Sequence, residues 1–277
     1  MSPRSTVGQC KRNISAVIPV YDEEKTVERV IKTLLSHPLI GEVIAINDGS
    51  TDRSGEILKR FGEKIKLINL KKNHGKGFGL SVGTKRANGE IITFWDADLI
   101  NFAHKHIDSL LKPILSGEAE IVLGYGVREN NKADVALSGL TGERAYYRRD
   151  LLPHLTKMAR TRFGVEVYLN NALKKKRTAK IPWPDLRALF KTDKFGPQKA
   201  FREYFKASLE IARTIGEREI ISTPSDAKVL EKISQTSSFK ELKKWIKKIK
   251  SVQLRKIFEE YILKYIPSTR GRSRVHF

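Results

Sequence analysis

Apolar runs and helix-period patterns alternate along residues 14–98, and this alternation limits the possible fold more than any other feature of the chain. The run Ile14 to Ile18 is broken by Pro19 and followed by Tyr21-Asp22-Glu23-Glu24. Val27, Val30, Ile31, Leu34 and Leu35 then recur at i, i+3, i+4, i+7 and i+8, the pattern of an amphipathic helix. Val43 to Ile46 ends in Asn47-Asp48-Gly49-Ser50-Thr51-Asp52, and a helix carrying Ile57, Leu58 and Phe61 follows. Ile65 to Leu70 reads as a third strand, ahead of Asn73-His74-Gly75-Lys76-Gly77 and a helix through Leu80, Val82 and Ala87. A fourth strand, Glu90 to Trp95, closes on Asp96-Ala97-Asp98. Strands alternating with helices predict an α/β domain with a parallel sheet and right-handed crossovers. Each polar cluster falls at a strand C-terminus, so all converge on the sheet edge where ligands bind in open α/β folds.

The residue types there suit an anion and a metal. Asp96 and Asp98 are hard oxygen ligands of the kind Mg²⁺ or Mn²⁺ takes beside an anionic substrate, although a solvated acidic turn has the same composition. Lys76, flanked by glycines, puts a point charge where backbone can approach a diphosphate, and its spacing is not that of a P-loop. Pro19 stiffens the end of the first strand, and Tyr21 offers an aromatic face or a hydroxyl. Glu23 or Asp22 suits ribose hydroxyls. Asp48 suits a base N–H, while Asp48-Gly49-Ser50 also reads as an ordinary turn and helix N-cap. His104 and His106 invite a metal reading, but Ile107, Leu110, Leu111 and Ile114 place both on the first turn of an amphipathic helix.

Taken in order, Val17 to Glu24, Ile46 to Asp52, Asn73 to Gly77 and Asp96 to Asp98 resemble the motifs of family 2 glycosyltransferases with the GT-A fold. The resemblance is close over residues 13–126 and looser to residue 200. It implies a nucleotide-diphospho-sugar transferase fold, α/β with a mostly parallel central sheet flanked by helices. It also implies a UDP-sugar donor held by Pro19, Tyr21, Glu23, Asp48, Lys76 and Asp96, with Asp98 as direct metal ligand and Asp96 on ribose or the metal-bound water. Asp96 and Asp98, with Glu143 and Glu166, are the catalytic candidates.

Ser138 to Arg149 resembles the acceptor-side segment of the family and reads as opening a helix, with Gly142 letting backbone approach a sugar. Glu143 is either a base for an alcohol acceptor or a carboxylate favoured at a helix N-terminus. Arg128 and Arg144 are candidate clamps for a phosphate-bearing acceptor, since guanidinium binds phosphate bidentately. A polyprenyl phosphate is the favoured acceptor. The glucosyl-3-phosphoglycerate synthases are a looser likeness, weakened because no histidine stands between His154 and His276 to complete a metal site.

The chain of 277 residues carries a formal net charge of +22, which predicts an anionic partner. The lysines concentrate late, where Phe239, Leu242, Trp245, Ile246 and Ile249 share one helical face and Leu254, Ile257, Phe258, Tyr261, Ile262 and Tyr265 another. Two readings stand: helices packed on the protein, or peripheral contact with an anionic membrane. Nucleic acid is disfavoured, because no recognised binding motif accompanies the charge. One cysteine, no apolar leader and no 20-residue apolar stretch fit a cytoplasmic protein, free or seated on the inner face of a membrane. The expected organisation is a flexible segment 1–11, a catalytic domain 12–200 divided into nucleotide-binding 12–126 and acceptor 127–200 halves, a helical region 201–267 and a basic tail 268–277. A non-enzymatic alternative, a degenerate fold kept as a basic membrane- or nucleic-acid-binding module, is opposed by intact Asp48, Lys76, Asp96 and Asp98.

Overall fold

The computed structural model describes residues 14–127, 138–161, 164–189, 224–235, 239–252, 255, 258 and 259. Two compact units divide the chain, residues 1–188 and 189–277. In the first, strands β1 (Ile14–Val20), β2 (Glu42–Asp48), β3 (Lys66–Leu70) and β4 (Ile91–Phe94) form where the apolar runs predict them. Between them stand α1 (Val27–Ser36), α2 (Ser54–Lys59) and α3 (Lys76–Arg86). Next come α4 (His104–Leu115) and β5 (Ile121–Gly126). They are followed by β6 (Arg144–Tyr147), the short helices α5 (Arg148–Leu151) and α6 (Leu155–Met158), α7 (Val165–Ala172) and β7 (Thr178–Trp183).

The seven strands lie in the order β3-β2-β1-β4-β6-β5-β7. Only β6 runs against the rest, pairing antiparallel with β4 and β5, so the sheet is mostly parallel as expected. Strand alternation sorts the core into two layers. Ile14, Ala16, Ile18 and Val20 pack with α1, α2 and α4, while Val17, Ile44 and Ile46 face Leu80 of α3 and Val165, Tyr168 and Leu169 of α7. Burial on both faces is what makes these strands read as continuous apolar runs.

One expectation fails here. Residues 138–147 are not α-helical; a single 3₁₀ turn, Ser138–Leu140, leads into β6, and the helix opens only at Arg148. Ala145 and Tyr146 are buried in the sheet, and pairing between two strands outweighs any helical pattern in this short segment. Glu143 is therefore the residue before a strand, and the helix-dipole reading of it falls away.

In the second unit, α8 (Pro224–Gln235) and α9 (Phe239–Ile246) pack on each other. Ile233, Ile246, Ile249 and Phe258 are buried. Asp226, fully buried, accepts backbone N–H bonds from Lys250 at 2.7 Å and Ser251 at 3.1 Å, which ties the chain after α9 back to α8. Lys243, Lys244, Lys247, Lys248 and Lys250 remain exposed. Leu254, Ile257, Tyr261, Ile262 and Tyr265 lie outside the described residues. No helix among the described residues is long and apolar enough to cross a membrane.

Candidate active site

The polar turns after β1, β2 and β4 meet the start of α3, as the sequence pattern requires. Asp22, at φ +54, is the only non-glycine with a left-handed backbone among the described residues. Its carboxylate accepts the Thr51 N–H at 2.7 Å, and the Glu23 N–H donates to Ser54 Oγ at 2.8 Å, so the turns after β1 and β2 are laced together. Pro19 is half-buried, Glu23 half-buried and Tyr21 exposed at this edge.

Asp48 holds the backbone of a neighbouring loop. It is buried, and its two oxygens accept the N–H groups of His74 and Gly75, each at 2.7 Å. Neighbouring Gly49, at φ +72, lies against the same loop so closely that a Cβ would stand 2.5 Å from the Lys72 carbonyl carbon. Asp48 and Gly49 thus clamp the loop that launches α3.

That loop delivers Lys76 as the first residue of α3. Its Nζ lies 2.5 Å from Asp96 Oδ1 and 2.8 Å from Glu166 Oε1, joining the end of β4 to the first turn of α7. Burial opposes the ammonium, yet Asp96 and then Glu166 outweigh it and hold the Lys76 pKa well above the ordinary lysine value. Gly142 permits this packing, because a Cβ there would lie 2.2 Å from Asp96 Oδ2. Asp98 follows two residues later, half-buried. The chain beyond it is fixed by a bridge from Leu99 to Ala188 and by the Ile100 N–H, which donates to the Arg187 carbonyl at 2.8 Å.

Glu143 completes the group. Burial first, and the Asp96 charge second, push its pKa up to about 7, against the pull of Thr141. Thr141 Oγ1 lies 2.5 Å from both the Gly124 carbonyl and Glu143 Oε2. A hydroxyl has one proton, so when Thr141 gives it to Gly124 the Glu143 contact is held by the carboxyl's own proton. This is a group poised to exchange a proton near neutrality.

Arg144 is corrected from phosphate clamp to buttress. It is 1% exposed, and its guanidinium donates to the carbonyls of Thr141 and Gly139 at 2.6 Å, to Asn170 Oδ1 at 2.8 Å and to Tyr146 Oη at 2.9 Å. Carbonyls already take the donors a phosphate would need. Thr141 and Asn170 went unnoticed in the sequence; the i, i+2 spacing of Thr141 and Glu143 beside a strand was the available signal. Arg128 lies outside the described residues. His106 is a satisfied core side chain, buried against Trp183, with Nδ1 accepting the Ala103 N–H and Nε2 3.2 Å from Asp185.

Among the described residues no cluster of three His, Cys, Asp or Glu side chains is set to hold a metal by protein ligands alone. The donor set nevertheless fits Mg²⁺ or Mn²⁺, which bind through one or two carboxylates plus substrate phosphates. Asp96 and Glu166 share a single ammonium, and the Asp96 charge, after burial, adds to the rise of the Glu143 pKa.

This seven-stranded, mostly parallel sheet flanked by helices has the GT-A fold. The model of glycosyl transferase family 2 matches residues 15–166, over half of the chain, and the chain belongs to that family. Dodecaprenyl-phosphate galacturonate synthase from Rhizobium johnstonii is 31% identical over 127 residues, 43% of this chain and 37% of that protein. Undecaprenyl-phosphate 4-deoxy-4-formamido-L-arabinose transferase from Pectobacterium carotovorum is 37% identical over 98 residues, 32% of this chain and 30% of that protein. The chain thus spans about a third of the length of these curated relatives. Glucosyl-3-phosphoglycerate synthase from Mycobacterium tuberculosis shares the fold, with a TM-score of 0.60 at 23% identity over 77% of this chain and 82% of that one.

Proposed function

We propose that the chain transfers a sugar from a UDP-sugar to a phosphate-bearing acceptor, with a polyprenyl phosphate favoured. The observation that carries this reading is the charge arrangement at the carboxyl edge of the sheet. Lys76 and the N-terminus of α3 offer positive potential for a diphosphate, while Asp96 and Asp98 supply carboxylates for a divalent cation. Mg²⁺ or Mn²⁺, when bound, supplies charge neutralisation to the departing nucleoside diphosphate. Pro19, Tyr21 and Glu23 line the same edge and suit the nucleoside.

An ionised phosphate acceptor needs orientation more than deprotonation, so Glu143 has no proton to take from it. With an alcohol acceptor its pKa of about 7 suits a general base. The lipid phosphates in the names of the two relatives support the acceptor class. The exposed lysines after α9 support peripheral contact with the cytoplasmic face of an anionic membrane. With Ile246, Ile249 and Phe258 buried, that contact would act through charge rather than insertion.

Calorimetry with UDP and Mn²⁺ tests the donor site. Asp98→Asn keeps the size and removes the charge, so metal-dependent UDP binding should weaken at least about tenfold, roughly the effect of one charge-assisted contact. Binding equal to wild type would remove Asp98 from the site. Sedimentation with anionic vesicles at low salt tests the membrane contact; no association, or association indifferent to salt, would end that part of the reading.

A further inference from the structure

His106 is buried between Phe102 and Trp183, with their ring centroids 6.2 Å and 5.3 Å from its own. An apolar side chain would fill that space as well, but a ring with two nitrogens does more. Nδ1 accepts the Ala103 N–H at 3.1 Å. A backbone N–H can only donate, so the ring is neutral and carries its proton on Nε2. Nε2 then donates to Asp185 Oδ1 at 3.2 Å. Asp185 also pairs with Lys105 through Oδ2, and its carbonyl accepts from the Asn101 amide at 3.3 Å. Lys105 first, and His106 second, hold the Asp185 carboxyl down at about 2, so it is an acceptor near neutrality.

These bonds converge on the five residues that follow Asp98. Leu99 is buried and bridges to Ala188, and the Ile100 N–H donates to the Arg187 carbonyl at 2.8 Å. Asn101, Phe102 and Ala103 each meet Asp185 or His106. The chain leaving Asp98 is thus held, residue by residue, by 185–188 or by the first turn of α4.

We propose that His106 and Asp185 are positioning residues for Asp98: one fixes the start of α4, the other the segment after β7, and together they set the backbone from which the carboxylate projects. This rests on the donor-site reading above, in which Asp98 meets the metal. A carboxylate carried by β4 on one side and anchored on the other needs no reordering when a cation arrives. Loss of either residue loosens this turn while leaving Pro19, Tyr21 and Glu23, on the β1 side, in place.

The test uses the full chain and the variants His106→Leu, His106→Gln and Asp185→Ala. Hydrogen exchange of the metal-free protein reads the anchor itself: the Ile100 amide should exchange at least about tenfold faster in His106→Leu and Asp185→Ala. Calorimetry with UDP reads Asp98. Affinity in Mn²⁺ should fall by about 10–100-fold, the usual cost of losing support behind a metal ligand, while UDP in chelator should bind unchanged. His106→Gln should restore most of the wild-type behaviour, since its amide offers an acceptor to Ala103 and a donor to Asp185. In an Asp98→Asn background, His106→Leu should weaken UDP binding no further, because the pair acts through Asp98. Asp185 is half-exposed, so Asp185→Ala decides the outcome if His106→Leu fails to fold. The proposal is overturned if Ile100 exchanges as in wild type, if His106→Gln is as damaged as His106→Leu, or if the loss is undiminished in the Asp98→Asn background. Wild type without metal-dependent UDP binding defeats the donor-site reading, whereas metal-dependent binding that survives loss of the anchor defeats this inference alone.

Discussion

Gly142→Ala isolates the close approach on which the site depends. The added Cβ would lie 2.2 Å from Asp96 Oδ2 and 2.5 Å from its Cγ and Oδ1. Ordinary contact needs well over 3 Å, so the carboxylate or the 141–143 backbone must move by about 1 Å. The backbone is poorly free to yield, because the Gly124 N–H donates to the Glu143 carbonyl at 2.9 Å and Arg144 holds the Thr141 carbonyl at 2.6 Å. Asp96 therefore moves, and the 2.5 Å contact to Lys76 lengthens or breaks. Overpacking of this kind costs about 1–3 kcal/mol, which in a domain of this size lowers the melting temperature by roughly 2–12 °C. A misplacement of about 1 Å in a positioned group can cost on the order of 100-fold in catalysis. The assay pairs thermal melts with UDP and Mn²⁺ calorimetry, using Gly139→Ala as control, whose Cβ would meet, among the described residues, only the Asn170 amide nitrogen at 3.1 Å. The reasoning is refuted if Gly142→Ala melts and binds like wild type, or if Gly139→Ala is the more damaging change.

Other substitutions separate the structural roles from the ones the sequence suggested. Asp48→Asn should cost about 1.5–3 kcal/mol in thermal melts, because one of two loop N–H groups loses its acceptor. It should also weaken UDP, CDP and ADP alike; a change confined to base preference would return Asp48 to base recognition. Arg144→Met should destabilise by about 3–5 kcal/mol, since carbonyls of the 139–141 loop lose a buried charged donor. An unchanged melt with weakened phosphate-acceptor binding would reinstate the clamp. Glu143 has a folded pKa of about 7 against an ordinary 4.5, so the folded protein holds this proton more tightly than the unfolded chain does. Its contribution is complete below about pH 4.5 and is lost as pH rises through 7, so wild type should weaken relative to Glu143→Gln between pH 5 and 8. A melting difference independent of pH would contradict the assignment.

The first half of the domain was readable because its signals are local. Apolar period and turn residues fix β1 to β4 and α1 to α4, and position at strand ends then brings Lys76 and Asp96 together without further information. Strand β6 was missed because Arg144 to Tyr147 is buried on both sides and lacks a period of two, so only its neighbours in the sheet define it. Strand β7 was passed over because Lys180 and Pro182 look like loop residues; Pro is tolerated there because β7 is an edge strand. Asp48 and Arg144 show a different limit. Their charges and locations are evident, but whether a carboxylate or guanidinium meets a ligand or its own backbone depends on how loops 73–75 and 139–141 close over it.

Sugar transfer itself tests the central claim most directly. The full chain, incubated with a panel of labelled UDP-sugars, Mn²⁺ and a polyprenyl phosphate, should move label from one donor into the organic phase. Chelation of the metal or Asp98→Asn should abolish that transfer, and a short-chain prenyl phosphate supplied in place of the lipid should accept label in parallel. Binding of UDP and Mn²⁺ with no labelled product from any donor, on either lipid or short-chain phosphate, would contradict the account.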